Sequence, residues 1–231
     1  MRVAALMPAL DEEASLPTVL AGLAGRGLER IVVVDNGSKD RTAEVAVAAG
    51  AVVVFCGRRG YGSACLAGLD RLADDPPDAV VFLDADGADD PADLPALLAP
   101  LRDDRAELVI GSRVTGNADT GALTPVQRFG NALSCRLIEL AWGARFTDLG
   151  PMRAVRWATL ERLQMRDPDF GWTVEMQARA ARLGIPWMEV PVRYRRRVAG
   201  QSKVAGTVKG SVKAGAKILF TIGREFVRGR P

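Results

Sequence analysis

Val80-Val81-Phe82-Leu83-Asp84-Ala85-Asp86-Gly87 is the stretch that decides the architecture. Four successive apolar residues suit a strand covered on both faces, as the strands of a parallel sheet are. The carboxylates begin where that strand should stop. Residues two apart on an extended chain point the same way, so Asp84 and Asp86 converge just past the sheet. Two carboxylates held that close repel, and a hard divalent cation, Mg²⁺ or Mn²⁺, relieves the repulsion while completing its shell with water and phosphate oxygens. A diphosphate leaving group needs the same neutralisation as its bond to carbon breaks. The plain alternative is a pair of solvated turn acids, and the position after a buried run favours the metal. Asp90 before Pro91 reads as a helix cap; Asp89 has no assigned role.

Outward from this stretch the chain alternates strand and helix. Strands are expected at 2–7, 30–34, 51–55, 79–83 and 107–110, and helices at 12–24, 40–49, 60–73 and after Asp90-Pro91. That order predicts an α/β fold with a mostly parallel sheet flanked by helices. Ligands in such sheets bind at the carboxyl ends of the strands. Those ends carry residues 8–12, 35–38, 57–62 and 84–86, so polar residues and glycines collect on one edge. Farther on, the patterns read as a helix over 125–142, a loop and turn over 146–153, a helix over 171–183, a strand over 186–194 and a helix over 204–227. With no repeat and no clear linker, the reading is one domain over 1–203, with a nucleotide-binding part over 1–112 and an acceptor part over 113–203. A C-terminal basic amphipathic helix follows over 204–231.

Composition removes several chemistries. The 231 residues are 48% hydrophobic, enough for one packed domain, and contain no histidine. Ser-His-Asp and Cys-His catalysis, histidine-ligated zinc and a histidine base are excluded. Cys56, Cys65 and Cys135 form no CxxC pair, and no leader or bilayer-length apolar run is legible. The expected location is therefore cytoplasmic. A net charge of +3 gives no case for a nucleic-acid partner, but between Arg193 and Arg230 the only acid is Glu225. In the last helix Val204, Val208, Val212, Leu219, Ile222 and Phe226 fall along one side, with Lys209, Lys213 and Lys217 as a basic stripe. The pattern suits a helix lying on an anionic membrane surface, peripheral on its inner face, and equally a helix packed on the domain with its lysines in water.

Seven segments in order carry a resemblance across almost the whole chain. They are Pro8-Ala9-Leu10-Asp11-Glu12-Glu13, Val33-Val34-Asp35-Asn36-Gly37-Ser38-Lys39-Asp40-Arg41-Thr42, Gly60-Tyr61-Gly62-Ser63-Ala64, Asp84-Ala85-Asp86, Gly111-Ser112-Arg113, Asp148-Leu149-Gly150-Pro151-Met152-Arg153 and Gly200-Gln201-Ser202-Lys203. The chain resembles the family 2 glycosyltransferases, whose nucleotide-diphosphosugar-binding fold is called GT-A. The last two segments resemble the branch of dolichyl- and polyprenyl-phosphate hexose synthases. The resemblance implies an inverting, metal-dependent hexosyl transfer from a nucleotide-diphosphate sugar, UDP-glucose first, to a polyprenyl phosphate. Pro8, Ala9, Asp11, Glu12, Asp35, Gly37, Gly60, Gly62, Asp84 and Ala85 would line the nucleotide site, with Asp35 on the base and the glycines admitting the backbone. Asp84 and Asp86 would hold the Mg²⁺ or Mn²⁺. Asn36 stands where the family often has a second Asp, and Ala88 where that branch commonly has Gln.

The acceptor's chemistry decides whether a base is needed. A lipid phosphate is already anionic at neutral pH and needs cations to hold it. Arg113, Arg128, Arg153, Arg195, Ser202 and Lys203 are the candidates for that task, arginine being suited to bidentate phosphate binding. A soluble hydroxyl acceptor would need a base. Asp148 is the first candidate and Glu175 the second, although Asp148 could be a turn former and Glu175 an arginine's partner. A homodimer is a further candidate assembly. A sugar-phosphate nucleotidyltransferase is the rival from another class, and residues 8–13 stand where such enzymes have a glycine-rich basic loop.

Overall fold

The computed structural model describes residues 1–197 and 208–229, and the side chains of all of these except 208–214. The apolar runs become strands as expected: β1 (Val3–Ala9), β2 (Arg30–Asp35), β3 (Val52–Phe55) and β4 (Ala79–Phe82), all mutually parallel. Helices α1 (Leu16–Leu23), α2 (Thr42–Ala48), α3 (Tyr61–Leu72) and α4 (Leu94–Arg102) cross between them and on to β5 (Leu108–Ala118). Then come α5 (Pro125–Trp142), β6 (Arg153–Arg156), α6 (Trp157–Leu163), α7 (Trp172–Leu183), β7 (Trp187–Tyr194) and α8 (Val208–Val227).

The strands make one seven-stranded sheet in the order β3-β2-β1-β4-β6-β5-β7, with β6 antiparallel to both its neighbours. Successive residues of β1 go to opposite faces. Ala4 and Leu6 join the core under α3, α5 and α7, while Val3, Ala5 and Met7 join the one under α1 and α4. Each large side chain sealed in this way contributes roughly 1.5–3 kcal/mol. Burial on both faces explains why these strands read as unbroken apolar runs rather than alternating ones.

The second half departs from expectation in two elements. The loop expected over 146–153 ends in β6, and α6 follows it directly. Four residues, Arg-Ala-Val-Arg, are too short to show a period, and the charged ends hide a strand whose Ala154 and Val155 are fully buried. The first helix begins at Leu16 rather than at residue 12, because Glu12 turns the chain by accepting the N–H groups of Ser15 and Leu16.

Helix α8 lies on α5 and α7. Thr221, Ile222 and Glu225 face inward, and Glu225 pairs with Arg179 at 3.2 Å. Lys217 reaches Asp167 at 3.0 Å, so one lysine of the expected basic stripe is a packing contact. The expected apolar side is divided, with Ile222 buried and Leu219 and Phe226 exposed. Val204, Ser202 and Lys203 lie outside the described residues, and the side chains of Val208, Lys209, Val212 and Lys213 are not described.

Candidate active site

Because the strands are parallel, the loops after β1, β2 and β4 meet on one edge of the sheet. The first two are stitched together. Asp11, with φ of +50°, donates its N–H to Ser38 Oγ at 3.0 Å and accepts the Lys39 N–H at 2.7 Å. Glu12 donates its N–H to Thr42 Oγ1 at 2.8 Å, and Asp35 accepts the Ser38 N–H at 2.8 Å. Pro8 and Ala9 pair in register with Val34 and Asp35, which sets the two loops side by side. Gly37, at φ +84°, closes the turn beside the Arg59 guanidinium.

Asn36, Gly60 and Gly62 have tasks the sequence did not reveal. The Asn36 amide donates to Cys56 O and Arg58 O and accepts the Gly60 N–H at 2.8 Å, so it clasps the next loop instead of waiting for a ligand. A Cβ on Gly60 would stand 2.2 Å from Pro168 O, and one on Gly62 would stand 1.9 Å from Asp167 O. Glycine is required there because α3 begins against the 167–168 backbone, which accounts for both positions without any nucleotide approach.

The carboxylate loop follows β4. The Asp84 N–H donates to Asp89 Oδ2 at 3.0 Å, while the Asp84 Oδ1 is sealed and has no hydrogen-bond partner among the described residues. Burial, then the charges of Asp86 and Asp89, hold the Asp84 carboxyl well above the usual range. Burial likewise pushes Asp89 up to about 7, against the opposing Asp84 N–H bond. Asp86 accepts the Ala88 N–H on Oδ1 at 2.9 Å, and its Oδ2 faces the Arg197 Nε at 3.0 Å. Ser15 ties this loop to the first by donating toward Glu12 Oε2 and Ala85 O. Asp90 is the cap it was expected to be, accepting the Ala92 N–H at 3.0 Å.

The donor set suits a hard divalent cation. All the donors are carboxylate oxygens, one buried oxygen lacks a partner, and a guanidinium already stands against Asp86. Among the described residues no group of three or more His, Cys, Asp or Glu side chains could hold a metal ion by itself. Ala88 adds no ligand. A cation at this pair would therefore draw the rest of its shell from water and substrate phosphates.

On the acceptor side the structure corrects three expectations. Asp148 is fully buried and accepts the Arg113 backbone N–H and Nε on Oδ2, and Arg113 Nη2 on Oδ1 at 2.7 Å. Glu175 is fully buried too: Oε2 accepts the N–H groups of Arg166 and Asp167, and Oε1 meets Arg179 at 2.8 Å and Arg224 at 2.7 Å. Both carboxylates are consumed by structure and neither stands open to an incoming hydroxyl. Arg153 has no exposed surface and donates to the carbonyls of Thr173, Leu149 and Gly150, bracing the turn before β6. Burial draws its guanidinium down to about 10. Arg113 lies 4.9 Å over the Tyr194 ring, and although burial opposes its charge, Asp148 holds it above its ordinary value. Arg195 pairs with Asp90 at 2.5 Å. Arg128, on the first turns of α5, is exposed and has no carboxylate partner among the described residues.

Residues 4–163 match the family model described as Glycosyl transferase family 2. The chain belongs to glycosyltransferase family 2. This glycosyltransferase is 41% identical over 214 residues to an uncharacterized glycosyltransferase of Mycobacterium tuberculosis, covering 92% of this chain and 94% of the relative. It is 33% identical to the undecaprenyl-phosphate mannosyltransferase of Micrococcus luteus over 222 residues, 91% of this chain and 90% of that one. It is also 35% identical to the dolichyl-phosphate hexose transferase of Haloferax volcanii over 205 residues, 87% and 86% of the two chains. Among solved structures, glucosyl-3-phosphoglycerate synthase from Mycobacterium tuberculosis, in complex with Mn²⁺, UDP-glucose and phosphoglyceric acid, superposes with a TM-score of 0.74. The identity is 24%, over 96% of this chain and 80% of that one. At that identity the likeness concerns the GT-A fold alone.

Proposed function

We propose that this glycosyltransferase moves a hexose from a nucleotide-diphosphate sugar to a polyprenyl phosphate, with inversion and with Mg²⁺ or Mn²⁺. One observation carries the acceptor. The two carboxylates best placed in sequence to act as a base, Asp148 and Glu175, have their oxygens occupied by arginines and backbone N–H groups. A phosphate acceptor needs no base, because its oxygen is already an anion. The names of the undecaprenyl- and dolichyl-phosphate relatives agree with this choice. UDP-glucose is the first donor to test, since a solved relative of the same fold was crystallised with it and Mn²⁺.

In this reading Asp84 and Asp86 hold the cation, which supplies charge neutralisation to the leaving diphosphate. Asp11, Glu12 and Asp35 line the nucleotide side, on the loops after β1 and β2. Asp148 fixes Arg113, and Arg113 with the exposed Arg128 faces the acceptor phosphate. Such charge-assisted contacts contribute about 1.5–3 kcal/mol each. The lipid tail calls for an apolar approach. Val126, Phe129, Leu133 and Leu140 form an exposed stripe along α5, and Leu219, Phe220, Phe226 and Val227 are exposed on the neighbouring α8. That surface supports a peripheral seat on a membrane; among the described residues no helix is long and apolar enough to cross one.

Arg128→Ala tests the acceptor. Against a short-chain polyprenyl phosphate it should raise KM or lower kcat at least tenfold while UDP affinity stays unchanged. Equal activity on the lipid phosphate would remove Arg128 from the site. Efficient transfer to a soluble hydroxyl compound would replace the acceptor.

A further inference from the structure

Arg197 is the one cation that spans the two halves of the nucleotide edge among the described residues. Its Nη2 donates to Glu12 Oε1 at 2.8 Å, after β1, and its Nε lies 3.0 Å from Asp86 Oδ2, after β4. The Nε contact is off the hydrogen-bond line, so Nε is buried with a charge beside it but without a bond. The backbone leading to it is pinned along the carboxylate loop. The Arg193 N–H donates to Asp93, Tyr194 bridges Asp89, and the Arg195 N–H donates to Ala88 O at 2.8 Å. The Arg196 N–H then donates to Asp119 at 3.3 Å, and the Arg197 side chain that follows, a quarter exposed, crosses to Glu12 and Asp86.

A guanidinium and a divalent cation compete for Asp86 Oδ2, since both are positive and a metal ion needs direct access to that oxygen. Once displaced, the guanidinium stands beside the place where the diphosphate must approach the same carboxylates. Its planar fork binds phosphate better than a carboxylate it reaches off-line. We propose that Arg197 is an exchanging cation: it holds Glu12 and Asp86 together while no donor is bound, opposes binding of the metal alone, and transfers to the diphosphate when metal and nucleotide enter together. The proposal rests on the metal reading of Asp86 and adds a consequence to it. Metal and nucleotide become coupled ligands, each favouring the other through one side chain, and such coupling is reciprocal.

The experiment is a Mn²⁺ titration followed by electron paramagnetic resonance, with and without saturating UDP, on the parent chain and on Arg197→Ala and Arg197→Lys. Arg197→Ala should bind Mn²⁺ alone at least about 5-fold more tightly, and the gain in Mn²⁺ affinity given by UDP should shrink by about tenfold, the scale of one charge-assisted contact. Arg197→Lys keeps the positive charge and should leave binding of Mn²⁺ alone weak. A purely structural pair would lower the unfolding midpoint and leave both ratios unchanged, and that result overturns the proposal. Tighter Mn²⁺ binding with an unaltered UDP effect overturns it as well, because the guanidinium would then not move to the phosphates. Asp86→Asn in parallel keeps the two claims apart. If Asp86→Asn binds Mn²⁺ with UDP as the parent does, the metal reading itself fails; if it loses that binding while Arg197→Ala changes nothing, only the exchange fails.

Discussion

At the scale of the residue, the difference between Asp86 and Asp148 shows how burial and partners assign a carboxylate its work. Asp148 gives both oxygens to Arg113, and breaking a buried pair of this kind leaves a charge uncompensated, at a cost of about 3–5 kcal/mol. Asp148→Asn should therefore lower the denaturant midpoint sharply, with any loss of turnover tracking loss of folded protein. A folded Asp148→Asn variant that binds donor but does not turn over would restore Asp148 as a base. Asp86→Asn is expected to behave oppositely. Its amide oxygen can still accept the Ala88 N–H, so the unfolding midpoint should move little while Mn²⁺-dependent binding of the UDP-sugar disappears. Calorimetric titration with and without Mn²⁺ reads that result, and undiminished metal-dependent binding would contradict it. Asp84 and Asp86 were legible as a pair from their spacing, but a turn rather than an extended strand carries them: β4 ends at Phe82, the chain turns at Ala85, and the Asp86 charge still acts on Asp84. The fate of Asp148 was not legible, since Arg113 lies 35 positions away and only the fold brings it near. Arg153 was misread for the same reason: an arginine with no exposed surface among carbonyls looks like any other arginine in a sequence.

At the scale of the element, α3 and β6 show what local pattern can and cannot carry. Gly62 lies in the first turn of α3, and a methyl group there would meet the Asp167 carbonyl. Gly62→Ala should destabilise the chain by at least ~1–3 kcal/mol, the usual cost of overpacking, and thermal melting without ligand is the check. An unchanged melting temperature would return Gly62 to the nucleotide site. The strands of the first half were legible from their apolar runs and the helices between them from period and caps. Strand β6 was hidden because its neighbours in the sheet, β4 and β5, precede it in sequence by dozens of residues, and four residues show no period of their own. The seat of α8 was half legible. Its amphipathic period announced a buried side, but Glu225 faces inward against Arg179, Arg182 and Arg228, and no hydrophobic pattern announces a buried glutamate.

At the scale of the whole molecule, α5 and α8 both carry exposed apolar side chains, and the proposed lipid acceptor requires such a surface. Replacing Phe129 and Phe220 with serine should leave the melting temperature nearly unchanged, because both rings are more than three-fifths exposed. It should also reduce sedimentation with vesicles of anionic phospholipid. Truncation before α8 would be a poorer test, since it strips Glu225 from buried Arg179 and uncovers the α7 face. Vesicle binding unchanged in the double variant would remove this surface from the account. The central claim is the transfer itself, and the most direct measurement supplies radiolabelled UDP-glucose, with GDP-mannose in parallel, to the full chain with Mn²⁺ and a short-chain polyprenyl phosphate, followed by organic extraction. The account predicts label in the organic phase that depends on both Mn²⁺ and the lipid phosphate and that vanishes in Asp86→Asn. Label that instead enters a soluble hydroxyl acceptor such as glycerate, with none on the lipid, would contradict it.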